Sequence, residues 1–313
     1  MNIVFMGTPD FAVPCLEKII ADGHKVSAVF CRADKPVGRK KVLTPPPVKV
    51  TATKNNIPVY QPERIKGNQD IYNELKSINP DLIVVVAYGR ILPKEILEIP
   101  KLGCLNVHGS LLPRHRGSSP IQWSIVCGDK VTGVTTMLMD EGIDTGDMLL
   151  KREMDILDTD TYETLHDRMS VVGAELLLET IKGLENGTVT PIKQPEEGAS
   201  YAPMITKQMG QLDFSKSARE LDCLIRGFTP WPLSYFYSDN RRFKIYSARP
   251  GADTSKKPGT IFYTAGKVLV ACGDGRSLEI TEICPDGSKR MESAAFINGR
   301  FIEDGAVIER VEE

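Results

Sequence analysis

The run Asp81-Leu82-Ile83-Val84-Val85-Val86-Ala87-Tyr88 is apolar at every position after the first and rich in β-branched side chains. A strand without polar alternation has no face to give to water, so it must lie in a sheet covered on both sides. Helices supply that cover when strands run parallel, because each parallel pair needs a crossover connection. The rest of the first half agrees. Residues 3–6 form a short buried run, followed by Gly7-Thr8-Pro9-Asp10 and a helical pattern through Leu16, Ile19 and Ile20. Residues 25–30, 104–108 and 133–139 read as further strands. The expected class is α/β, with right-handed βαβ crossovers and a Rossmann-like open, mostly parallel sheet.

The pattern changes downstream. Residues 161–184 read as one long helix with Leu165, Met169, Val172, Leu176 and Ile181 inward, and Gly187 available for a left-handed cap. Residues 190–206 hold three prolines and no periodicity, and are expected to be a linker. After them, short strand-like segments at 234–237, 242–248, 259–262, 268–271 and 278–283 alternate with Gly and Asp turns, which suggests a small antiparallel barrel. A chain of 313 residues also exceeds the usual size of one domain. The expected division is a catalytic domain over 1–189, a linker over 190–206 and a smaller C-terminal OB-like β-barrel domain over 207–313.

Net charge of −2 argues against nucleic-acid binding through a globally basic surface and leaves only local patches. Seven cysteines, never closer than twelve positions apart, form no disulfide framework and no thiolate pair for zinc. Free thiols in a reducing compartment are expected. Four histidines, at 24, 108, 115 and 166, are too scattered to suggest a metal centre. No apolar run reaches the length of a membrane span, and the first residues already read as a core strand, leaving no room for a targeting peptide. The expected location is the cytoplasm.

Chemistry concentrates at Asn106-Val107-His108-Gly109-Ser110. Residues at i and i+2 of a strand share a face, so Asn106 and His108 point the same way. Gly109 and Pro113 end the strand, placing both at its carboxyl edge, where open α/β sheets bind ligands. A side-chain amide beside an imidazole suits a reaction that builds negative charge on a carbonyl oxygen: the amide donates to the oxyanion and the imidazole donates or shuttles a proton. Taken alone, the pair could equally satisfy backbone groups at a strand end, and the acidic stretch 140–147 could be a solvated turn. Gly7-Thr8-Pro9-Asp10 lacks the three-glycine fingerprint of a dinucleotide site.

Three segments together go further. The stretch from Asn106 through Ser110, Leu111, Leu112 and Pro113, the loop Arg116-Gly117-Ser118-Ser119-Pro120, and Asp144-Thr145-Gly146-Asp147 resemble, in order and spacing, the 10-formyltetrahydrofolate-dependent formyltransferases. The resemblance implies direct formyl transfer from 10-formyltetrahydrofolate, used as co-substrate, with no metal. It implies Asn106, His108 and Asp144 as the catalytic trio. It implies Ser110, Leu111, Leu112 and Pro113 as the segment that holds the folate, much of it through main-chain contacts.

Within that family, Met6-Gly7-Thr8-Pro9-Asp10-Phe11 is similar to the opening of the branches acting on methionyl-tRNA and on sugar amines. Residues 32–49 carry six basic side chains against Asp34 alone, and 34–41 resemble a loop that the tRNA-directed branch inserts into the acceptor stem. By that likeness Arg39, Lys40 and Lys41 are expected to contact tRNA, with glycine and proline flanks keeping the loop mobile. Arg226-Gly227-Phe228-Thr229-Pro230-Trp231-Pro232 and the barrel-like tail are similar to the C-terminal domain of the same branch, with Trp231 expected at a packed corner. Residues 216–257 carry nine basic and four acidic side chains, a second local basic region. The acceptor implied is the α-amine of initiator methionyl-tRNA, used by a monomer in translation initiation; a sugar amine is the alternative. A non-catalytic RNA-binding protein would leave Asn106, His108 and Asp144 unexplained.

Overall fold

The computed structural model describes residues 1–38 and 40–308. In chain order the first part contains β1 (Asn2–Gly7), α1 (Val13–Ala21), β2 (Lys25–Phe30), β3 (Lys35–Val37), β4 (Val42–Thr44), α2 (Pro47–Lys54), β5 (Val59–Tyr60), α3 (Gln69–Ile78) and β6 (Leu82–Val86). It continues with α4 (Lys94–Leu97), β7 (Cys104–His108), α5 (Pro120–Val126), β8 (Val131–Leu138), β9 (Met148–Asp155) and α6 (Tyr162–Asn186). Local chemistry fixes the ends of several elements. Proline in the first turn starts α1, the Asn68 side chain accepts from the Ile71 N–H to cap α3, and Asn79 closes α3 in the left-handed region at φ 47.

The large sheet has the order β5-β2-β1-β6-β7-β8-β9. Strands β5, β2, β1, β6 and β7 run parallel, and all five residues of β6 are buried between β1 and β7. The last two strands do not follow the βαβ rule: β8 is antiparallel to β7, and β9 to β8. Between β7 and β8 the chain leaves the end of β7, passes through the seven-residue α5 and enters β8 at Val131, so that β8 runs back along β7. Thr135 thereby lies opposite His108 and Met137 opposite Asn106.

The chain forms two compact units, the first made of Met1–Pro120, Val131–Asp155 and His166–Ala202. The expected linker over 190–206 therefore differs from the fold: its first part, residues 190–202, is knitted into this unit. Ile192 pairs with Met148, and Tyr201 bridges to Arg116. Isolated bridges of this kind impose no alternation of side chains, so the sequence carried no strand signal there.

The second unit contains Ile121–Lys130, Ile156–Leu165 and Pro203–Glu313. Here α7 (Ala218–Phe228) starts on a capping box of Ser217 and Glu220, and Gly227 lets it approach α5, since a Cβ would meet Val126 at 2.7 Å. Strands β10 (Ser234–Ser238), β11 (Arg241–Asp253), β12 (Ile261–Thr264), β13 (Lys267–Ala271) and β14 (Arg276–Pro285) make an antiparallel path β10-β11-β14-β13-β12. The short β15 (Met291–Glu292) pairs with β14 and leads into α8 (Ser293–Asn298). The edge of β12 is covered by residues 305–308, which exchange backbone hydrogen bonds with Gly259 and Ile261. Phe236 and Phe243 stack in the core, and Phe214 and Phe296 meet them edge to face.

Trp231 departs from the packed corner expected of it: the residue is 51% exposed. Phe228 and Leu233 fill the inner side of that turn, with the Leu233 N–H donating to the Phe228 carbonyl, and Trp231 stands outside. Five cysteines are buried as free thiols, and burial pushes those of Cys15 and Cys104 up to about 12, which leaves them unreactive; Cys127 is exposed. Among the described residues no helix is long and apolar enough to cross a membrane.

Candidate active site

Strand β7 brings Asn106 and His108 to one face, 8% and 6% exposed respectively. Nε2 of His108 lies 3.0 Å from the carbonyl oxygen of His115. A carbonyl only accepts, so Nε2 carries a proton and donates it. On the other side Nδ1 lies 3.6 Å from Oδ2 of Asp144, within ion-pair reach but long for a hydrogen bond. The imidazole is thus held between two oxygens. The side-chain amide of Asn106 makes no hydrogen bond among the described residues. The fold thus brings Asp144 to His108, and Asn106 shares the strand face of His108.

Asp144 is carried by the tight loop between β8 and β9. The carboxylate of Asp140 accepts from the Gly142 N–H at 3.0 Å and from the Thr145 hydroxyl at 2.8 Å. Asp144 itself has φ 53, and its Oδ2 accepts from the Gly117 N–H at 2.8 Å. Gly117, at φ 113, has no room for a side chain: a Cβ would lie 2.7 Å from the Ala202 carbonyl. Gly146 is tighter still, with 1.8 Å from a Cβ to the Leu138 carbonyl. Gly146→Ala is therefore expected to displace the loop, lowering kcat by about 10²-fold or more through misplacement of Asp144. Steady-state kinetics beside a thermal melt check this; wild-type turnover would show the loop tolerates the shift.

Residues of the expected linker complete this wall. Nε2 of Gln194, a side chain 6% exposed, donates to the carbonyls of Asp144 and Gly146, both at 2.8 Å, and its Oε1 accepts from Nε of Arg116 at 3.0 Å. Ser200 accepts from the His115 N–H through its hydroxyl at 2.9 Å and from the Arg116 N–H through its carbonyl at 2.8 Å. Gln194 and Ser200 gave no signal in the sequence, because a single polar residue in an aperiodic stretch cannot be told from a solvated one. Beside Asp144 opens a cleft of about 490 Å³ lined by Arg116, Ile143, Thr145, Ala199, Ser200 and Tyr201.

The segment Ser110, Leu111, Leu112 and Pro113 leaves the end of β7 as a rigid turn. The Thr135 hydroxyl donates to the Ser110 carbonyl and accepts from the Leu112 N–H, at 2.7 and 3.1 Å. The Ser110 hydroxyl donates to the Arg114 carbonyl, and Lys151 donates to that of Leu112. Ser110 and Leu112 are buried while Leu111 and Pro113 stay half-buried, so the turn presents the latter two outward.

The basic stretch is more ordered than its composition suggested. β3 and β4 pair as an antiparallel hairpin with Val37, Val42 and Leu43 exposed, and Lys40 and Lys41 stand exposed at its turn. Arg39 lies outside the described residues. Lys49, also counted in that basic stretch, is engaged by Asp34 at 2.8 Å and by Gln61, which holds the Asp34 carboxyl below the usual range.

Comparison with known proteins converges with this geometry. Residues 1–181 match the family model for formyl transferase, and residues 204–300 match that for the formyl transferase C-terminal domain. The methionyl-tRNA formyltransferase of Clostridium perfringens (strain 13 / Type A) is 48% identical over 310 residues, covering 98% of this chain and 100% of that protein. The methionyl-tRNA formyltransferase of Bacillus subtilis (strain 168) is 47% identical over 309 residues, covering 98% and 97%. Among solved structures, an N-formyltransferase from Helicobacter canadensis in complex with folinic acid and dTDP-3-aminofucose has a TM-score of 0.69 at 22% identity, covering 90% of this chain and 98% of that one. That last likeness is one of fold. The chain belongs to the formyl transferase family.

Proposed function

We propose that this chain transfers the formyl group of 10-formyltetrahydrofolate to the α-amine of initiator methionyl-tRNA, giving N-formylmethionyl-tRNA for translation initiation. The observation that carries the chemistry is His108 held between the His115 carbonyl and Asp144, with the unengaged amide of Asn106 two residues earlier on the same strand. The acceptor follows from relatives of that name that are 47–48% identical across nearly the whole chain.

The reaction runs as direct transfer. The unprotonated amine of the methionyl ester attacks the formyl carbon on N10, forming the new N–C bond and placing negative charge on the former carbonyl oxygen. Asn106 donates to that oxygen through its amide, and His108 does so by exchanging its Nε2–H from the His115 carbonyl to the oxyanion, a stabilisation that operates only as charge develops. Asp144 orients His108 and assists removal of the proton from the attacking nitrogen. Collapse of the intermediate breaks the C–N10 bond, and N10 takes up a proton as tetrahydrofolate leaves. Leu111 and Pro113 face the folate from the turn that Thr135 and Lys151 brace, and the cleft beside Asp144 receives the aminoacyl end.

Lys40 and Lys41, with Arg39, reach the phosphates of the acceptor stem, and the barrel-like unit adds further tRNA contacts. The enzyme acts as a monomer in the cytoplasm. Replacing Arg39, Lys40 and Lys41 with alanine is expected to raise KM for the tRNA and to reduce the salt slope of kcat/KM by roughly one for each phosphate that the loop would otherwise neutralise. Identical kinetics at low and high salt would remove the hairpin from this reading. The reading as a whole is tested by incubating the protein with 10-formyltetrahydrofolate and charged initiator tRNA and measuring formylmethionine. A nucleotide-linked amino sugar offered in place of the tRNA is expected to stay unformylated, and its formylation would favour the sugar-amine alternative.

A further inference from the structure

We infer that Gln194 is a positioning residue for the reaction, acting through Asp144. The inference rests on the proposed role of Asp144 and adds what holds that carboxylate in place. At φ 53, Asp144 lies in the left-handed region, and among the described residues no strand pairs with its loop to receive its carbonyl. Gln194 receives it. Its two amide hydrogens have two carbonyls to satisfy, those of Asp144 and Gly146, each at 2.8 Å. Its oxygen is taken by Nε of Arg116 at 3.0 Å. The neighbouring Gly117 N–H donates to the Asp144 carboxylate, so one buried amide ties the loop carrying Asp144 to the loop that supplies a donor to it. Every polar group on the Gln194 side chain is used, and none of them touches His108 or Asn106. The geometry therefore sets the position of the carboxylate without entering the chemistry.

The amide is required as a donor, which singles out one substitution. Glu is nearly isosteric with Gln but turns two hydrogens into lone pairs aimed at two carbonyls. Gln194→Glu is expected to lower kcat by roughly 10- to 100-fold, the cost of misplacing a reacting group by about an ångström. KM for 10-formyltetrahydrofolate is expected to stay within about twofold, because the turn at Ser110–Pro113 is braced independently by Thr135. A general structural defect would lower activity as well, so the deciding measurement is a double-mutant cycle read by single-turnover kinetics with enzyme in excess. If Gln194 acts through the Asp144 carboxylate, adding Gln194→Glu to Asp144→Asn lowers the rate less than about twofold further.

A full further loss in the Asp144→Asn background would overturn the inference, and so would wild-type turnover of Gln194→Glu while Asp144→Asn is impaired. Wild-type turnover of Asp144→Asn itself would overturn the reading of Asp144 and the inference together. Should the Glu variant fail to fold by thermal melt, Gln194→Met, which neither donates nor repels, carries the same cycle with the same outcomes.

Discussion

Asp144→Ala is expected to reduce kcat for formyl transfer by roughly 10²- to 10⁴-fold, while the affinity for tetrahydrofolate stays within about threefold of wild type. The reason lies in where the carboxylate sits. It faces Nδ1 of His108 at 3.6 Å and is held there by the Gly117 N–H, whereas the folate segment from Ser110 to Pro113 is braced by Thr135 and Lys151, neither of which touches Asp144. Removing the carboxylate leaves the Gly117 N–H without its acceptor, which costs about 1–3 kcal/mol of stability, so a lower melting temperature is part of the expected result. Asp144→Asn separates the two effects. It keeps an oxygen for Gly117 and loses only the charge beside His108, so its melt should return toward wild type while its turnover stays low. Turnover near wild type in both variants, with folate binding intact, would remove Asp144 from the reaction.

The strands that build this site were legible in the sequence because burial on both faces leaves an unmistakable trace. Leu82–Val86 has no polar residue to offer solvent, and it lies fully buried between β1 and β7. Asn106 and His108 were legible as a pair for a related reason: strand periodicity fixes which residues share a face, whatever the strand pairs with. Periodicity does not fix direction. Residues 133–139 read as a strand and are one, yet β8 runs antiparallel to β7, a direction that alternation and burial leave open. Asp144 illustrates the same limit from another side. Its loop had the composition of a solvated turn, and only its likeness to a known family raised it above that; the folded chain brings it to His108 through Gly117 and Gln194, partners 27 and 50 residues away. Such long-range single contacts leave no local pattern. Trp231 went the other way, since proline neighbours suggest a corner but not which of Phe228, Trp231 and Leu233 occupies its inside.

Asn106 offers the test that best separates a catalytic from a structural role, because only the structural role predicts a loss of stability. A residue 8% exposed whose amide makes no hydrogen bond among the described residues is a poor structural choice. With no hydrogen bond to lose, its removal takes little from the stability of the strand. Asn106→Ala is therefore expected to melt near the wild-type temperature. Turnover should fall by roughly 10²- to 10³-fold, the usual consequence of removing one donor from an oxyanion site. Asn106→Asp should fall further. The new carboxylate keeps the shape of the amide but faces the developing oxygen with a like charge, on the same face of the strand as His108 and within a sheet that screens it poorly. The order wild type, then Ala, then Asp is specific to a donor that meets negative charge. A residue that merely filled space would give the reverse for the last two, since Asp preserves volume and Ala does not. An Asp variant more active than the Ala variant would place the oxyanion elsewhere, and an Ala variant that melted several degrees lower would return Asn106 to the framework of the strand.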